Sequence, residues 1–85
     1  MSLQELREQI DRIDDEIITL LQERLKIAKQ IGELKNKLNI EVYSPQREEE
    51  ILKRLQSISS LSPHQIAHIY QSIFTLTKDL QEENL

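Results

Sequence analysis

At eighty-five residues the chain has room for one small domain, 1–85, and it buries so limited a share of its own surface that a supplement is expected: disulfides, a metal or oligomerisation. It has no cysteine, which removes disulfides, thiolate metal sites and thiol nucleophiles and leaves oligomerisation open. A single glycine excludes a glycine-rich phosphate loop and counts against a turn-rich β fold, while a net charge of −4 with 4% aromatic residues counts against nucleic acid.

The first element is a long heptad. Leu6, Ile10, Ile13, Ile17, Leu20, Ile27, Ile31, Leu34 and Leu38 follow one another in helical steps, with a single break at Arg24. Ser2 followed by Glu5 makes a capping box, no proline intervenes, and the pattern predicts a helix over 3–37. Such a helix is about 50 Å long. A compact domain of this chain length has a radius of gyration of only about 12 Å. The rest of one chain therefore cannot wrap the helix, and its apolar stripe is expected to meet the same helix of a second chain.

Residues 39–44, Asn39-Ile40-Glu41-Val42-Tyr43-Ser44, read as a connector of poor helix formers. Ser44-Pro45 opens a second helix whose apolar face is Ile51, Leu52, Leu55 and Ile58 and which fades through 57–60. Ser62-Pro63-His64-Gln65 is a further N-cap with a capping box. The third helix carries Ile66, Ile69, Ile73, Leu76 and Leu80, and its charged tail, 81–85, is expected to fray. The plan is all-α: a long, a short and a medium helix. The N-terminal residues lack the basic and apolar segments of a signal peptide, and no apolar run approaches a membrane span, so a cytoplasmic protein with no membrane partner is expected.

The informative residues interrupt the apolar pattern. Arg24 stands where the heptad calls for an apolar residue, and a buried guanidinium without an anion is costly. It reads either as a register-setting residue paired with a carboxylate of the partner helix or as part of a site. Arg7 and Lys35 share the flanking heptad position with Leu21 and Ala28. Singly, each reads as a solvated flank charge. Arg24 and Lys35, however, are eleven residues apart, so they point the same way about 16 Å apart along the axis and can grip a small molecule.

Arg47 and Glu48 lie one turn before Ile51 and Leu52 and are expected to face inward. Thr77 and Gln81 lie four apart at the edge of the third stripe, a pattern that taken alone reads as the polar boundary of a helix face. His64 and His68 have a metal-compatible spacing but sit away from the apolar face with no third ligand, so no metal is assigned. Gly32, inside the first helix, costs about 1 kcal/mol relative to alanine and points to close packing there. The set as a whole suits a small polyanion and offers no nucleophile or general base. It either only binds, or accelerates a reaction that needs positioning and electrostatics alone.

Taken together, these residues resemble the all-helical chorismate mutase family over nearly the whole chain. Leu6-Arg7 with Ile10-Asp11 and Ile13-Asp14 is similar to that family's first-helix signature, and Leu20-Leu21-Gln22-Glu23-Arg24 to its central block. Lys35 falls at the family's lysine, Val42-Tyr43-Ser44-Pro45-Gln46-Arg47-Glu48 at its connector, and Thr77 and Gln81 at its hydroxyl and Gln/Glu positions.

The resemblance implies an intertwined helical-bundle homodimer with two active sites, which rearranges chorismate to prephenate in aromatic amino-acid biosynthesis without a cofactor. It further implies that Arg24 and Arg7 of the other chain hold the substrate carboxylates, assisted by Arg47. Lys35 would contact the ether oxygen and a carboxylate, Gln81 would donate to the same oxygen, Glu48 would accept from the ring hydroxyl, and Thr77 would stand near a carboxylate. The chain departs from the pattern at Ser44, where the family often has an acid, and at Thr77, where serine is commoner. Two rivals stand beside this reading: an isochorismate-pyruvate lyase on the same scaffold, and a non-catalytic helical dimerisation module.

Overall fold

The computed structural model describes residues 1–82 and is built of three helices: α1 Leu3–Lys37, α2 Pro45–Ile58 and α3 Pro63–Glu82. Local chemistry sets the starts. Ser2 accepts from the Glu5 backbone N–H at 3.1 Å, and the Glu5 carboxylate accepts from the Ser2 N–H at 3.4 Å. At α2 the Ser44 hydroxyl accepts from the Arg47 N–H at 3.2 Å, with Pro45 in the first turn. At α3 Ser62 and Gln65 exchange the same reciprocal pair, at 3.1 and 2.9 Å. Each satisfies donors that a helix start otherwise leaves open.

Asn39 ends α1. Its φ of 55° places it in the left-handed region, which asparagine tolerates better than most residues with a Cβ. The turn lets the Asn39 N–H reach the Asn36 carbonyl at 3.3 Å and the Ile40 N–H reach the Lys35 carbonyl at 2.9 Å, closing off orphan acceptors at the helix end. The chain then doubles back over the last turn of α1.

Helix α3 packs against both α1 and α2. Along α1 the buried residues are Ala28 and Gly32, four apart on one face, with Leu21, Arg24 and Leu25 half-buried. Gly32 thus lies in close packing, as its cost in a helix interior suggests. The heptad stripe faces elsewhere: Ile10, Ile17 and Leu34 are 54–57% exposed, and residues 3–20 of α1 touch no other element closely enough to lose their exposure. On α3, Ile66 is buried and Tyr70, Ile73, Phe74, Thr77 and Leu80 are half-buried, whereas Ile69 and Leu76 are exposed. The radius of gyration is 16.0 Å and the extents are 55 × 24 × 16 Å, well beyond the compact value of about 12 Å for this length.

Two expectations need correction. Helix α3 does not lose its order at Gln81: the helix runs to Glu82 and Gln81 is buried, because its amide is tied to α1. The expected fraying of residues 83–85 lies outside the described residues. Arg47 borders a cavity between the helices only from its exposed rim and is not buried there. Its side chain is 61% exposed and its guanidinium lies 3.5 Å from Glu50, since the first turn of α2 leaves it at the rim with an acid one turn on. Among the described residues no helix is long and apolar enough to cross a membrane.

Candidate active site

Where α1, the connector and α3 converge they enclose a cavity of about 260 Å³. Helix α1 contributes Arg24, Ala28 and Lys35; α3 contributes Phe74, Thr77, Lys78 and Gln81; the connector and first turn of α2 contribute Val42, Tyr43, Ser44, Arg47 and Glu48. Arg24, Lys35, Ser44, Arg47, Glu48, Thr77 and Gln81, each singled out from the sequence, thus surround one space. Arg7 does not. It is exposed on the first third of α1, and seventeen residues of helix place it about 25 Å along the axis from Arg24.

Arg24 is held from α3. Its Nη1 donates to the Thr77 hydroxyl at 2.9 Å, and its guanidinium carbon lies 5.8 Å from the Tyr70 ring centroid, within range of cation–π attraction. Tyr70 in turn meets Phe74 edge-on, with centroids 5.6 Å apart. No carboxylate among the described residues pairs with Arg24. Thr77 and Gln81 are inward-facing residues rather than a helix boundary.

Gln81 Nε2 donates to the Ala28 carbonyl at 2.9 Å. A carbonyl only accepts, so this bond fixes which end of the amide is the donor, and it leaves the second N–H available to the cavity. The small side chain of Ala28 and the absence of one at Gly32 let α3 approach α1 closely enough for that bond. Lys35 Nζ donates to the Val42 carbonyl at 3.2 Å, which ties the connector to α1 and leaves two of its three donors. The Ser44 hydroxyl is committed to the α2 cap. Where the family often has an acid, this side chain therefore serves the helix start.

Charge in the cavity runs against that of the chain. Arg24, Lys35, Arg47 and Lys78 line it, with Glu48 as the carboxylate among the lining residues, although the chain as a whole carries −4. Sequence reasoning missed Tyr43, Tyr70, Phe74 and Lys78. Tyr70 and Phe74 belong to the inward face of α3 with Thr77 and Gln81, so extending that face backward in helical steps finds them. Lys78 lies in step with Phe74 and Gln81, but its charge beside Thr77 reads as an ordinary exposed lysine. His64 and His68 stack with centroids 6.5 Å apart at the exposed start of α3, and no group of three or more His, Cys, Asp or Glu is placed to hold a metal among the described residues.

Fold and cavity together define an all-helical protein with a largely cationic cavity between one long helix and the end of another. Residues 6–82 match the family model for chorismate mutase type II, and the chain belongs to that family. It is 40% identical over 87 residues to the bifunctional chorismate mutase/prephenate dehydratase of Aquifex aeolicus, a match covering 95% of this chain and 24% of that protein. The chain thus spans about a quarter of the length of that relative. It is 34% identical to the chorismate mutase of Methanocaldococcus jannaschii, over 98% of this chain and 87% of the other. Form II of the chorismate mutase structure from Thermus thermophilus superposes with a TM-score of 0.89 at 35% identity, over 94% of this chain and 93% of that one.

Proposed function

We propose that the chain rearranges chorismate to prephenate, in aromatic amino-acid biosynthesis in the cytoplasm, as a homodimer whose sites each borrow Arg7 from the other chain. The observation that carries this reading is the gathering of Arg24, Lys35 and a donor-oriented Gln81 around one cavity with little opposing charge.

The reaction is an internal rearrangement. The C–O bond of the enolpyruvyl ether breaks as a C–C bond forms between the enolpyruvyl methylene and the ring, and no atom enters or leaves. The substrate must first fold so that the side chain lies over the ring. Arg24 takes one carboxylate and Arg7 of the second chain the other, with Arg47 assisting from the rim and Thr77 holding the Arg24 guanidinium in place. Fixing both ends selects the near-attack shape and removes the entropy of finding it. Bidentate guanidinium–carboxylate geometry sets orientation as well as charge.

As the ether bond breaks, negative charge grows on its oxygen. The two spare donors of Lys35 and the second N–H of Gln81 are aimed there, and preorganised donors of this kind are worth about 3–4 kcal/mol each in rate. Glu48 accepts from the ring hydroxyl, and Ser44 acts through its backbone. No step needs a nucleophile, a general base or a cofactor.

The test is conversion of chorismate followed by loss of its absorbance, with isochorismate as the comparison substrate. Wild-type protein should convert chorismate and release no pyruvate from isochorismate. Arg24→Ala should lower kcat/KM by about 10²–10³-fold with helicity retained, and Arg24→Leu should keep or raise Tm, because a half-buried cation with no acid partner is exchanged for packing. Wild-type kcat/KM in Arg24→Ala would remove the clamp.

A further inference from the structure

Lys78 follows Thr77 on α3 and lines the cavity, and its Nζ lies 4.4 Å from the centroid of the Tyr43 ring. Two acids, Asp79 and Glu82, are near it on the same helix. Among the described residues it pairs with neither. A lysine on an exposed helix surface ordinarily reaches for an acid one turn away. This one instead lies on an aromatic face at the cavity.

The platform under it is fixed. Tyr43 belongs to the connector that Lys35 ties down through the adjacent Val42 carbonyl. A tyrosine face attracts an ammonium without consuming its N–H donors, so Lys78 keeps its hydrogen-bonding capacity. Arg47, the cation on the α2 side of the cavity, is shared with Glu50. Lys78 is the cation near that side with no carboxylate partner among the described residues.

We infer that Lys78 is a substrate-binding residue, a fourth cation from the chain's own cavity lining, held ready on the Tyr43 ring to meet a carboxylate of the dianionic substrate. The inference rests on the proposed function and adds to it a residue that sets affinity. Because the contact is made equally with substrate and transition state, Lys78 governs KM and the salt dependence of binding rather than kcat.

The experiment measures binding of a bicyclic dicarboxylate transition-state analogue by calorimetry at low and high salt, alongside kcat and KM for chorismate. Wild type, Lys78→Met, Lys78→Arg and Tyr43→Leu are compared. Lys78→Met should weaken the analogue about three- to tenfold at low salt, raise KM with kcat little changed, flatten the salt dependence and leave Tm unaltered. Lys78→Arg should restore affinity, and Tyr43→Leu should lower it by a smaller factor. Analogue affinity and salt dependence in Lys78→Met equal to wild type would overturn the inference and leave the proposed function standing. A wild-type protein that neither binds the analogue nor converts chorismate would overturn both.

Discussion

Gln81 is buried at the end of α3 with its amide on the Ala28 carbonyl, and the choice of an amide has a consequence for pH. An amide donor does not titrate over the working range. The account therefore predicts a kcat that is nearly flat from mildly acidic to mildly alkaline pH. Gln81→Glu should change this. A glutamate there must carry its proton to donate, either to the substrate oxygen or to the Ala28 carbonyl, so activity is present at low pH and is lost as pH rises through the carboxyl's titration. Parallel kcat–pH profiles of the two proteins check the prediction, and a wild-type kcat rising steeply on acidification would contradict it. At this scale the sequence was legible wherever a polar residue broke an apolar pattern: Arg24, Lys35, Thr77 and Gln81 all line the cavity. It was least legible where a charged residue sat among other exposed positions. Lys78 keeps step with Phe74 and Gln81 but reads as an ordinary surface lysine, and Arg47 sits at the rim beside Glu50.

The elements themselves were legible almost to the residue because their ends carry their own chemistry. Ser2 with Glu5, Ser44 with Pro45 and Ser62 with Gln65 are caps whose partners lie within three positions, so no tertiary information is needed to find them. The C-terminus of α1 depends on Asn39 at φ 55°. A β-branched residue there adds a second Cγ to a Cβ already crowded by the following carbonyl, and Asn39→Val should destabilise the protein by about 1–2 kcal/mol, whereas Asn39→Gly should cost nothing. Urea unfolding at fixed protein concentration measures both, and a valine variant as stable as wild type would show that another interaction ends the helix. Less legible was which face of α3 turns inward. Ile69 and Leu76 share the apolar stripe with Ile66 and Ile73, yet they are exposed, while Tyr70 and Phe74 take the inner side. Periodicity reports that a face is apolar and not which neighbour covers it. The end of α3 was misjudged for a similar reason, since the contact that orders Gln81 reaches across to α1.

At the scale of the molecule, one chain leaves a long apolar stripe uncovered. The first part of α1 presents Leu6, Ile10, Ile13 and Ile17 to solvent, and among the described residues the buried apolar side chains are Ala28, Ile51 and Ile66. In the proposed homodimer a second copy laid antiparallel along α1 would cover that stripe. If the two long helices cross near residue 18, Arg7 of one chain comes level with the Arg24–Lys35 interval of the other. Each site then needs two chains, and the most direct test of a chorismate-converting site shared between copies is complementation. Arg7→Ala and Lys35→Ala, each inactive alone, are unfolded together and refolded as an equal mixture. In a heterodimer one site collects both defects, while the other takes Lys35 from the first variant and Arg7 from the second and is wild type. Random pairing makes about half the dimers mixed, so activity on chorismate should recover to roughly a quarter of the wild-type value. A mixture no more active than its separate components, with heterodimers confirmed by mass, would place the whole site within one chain and contradict the account.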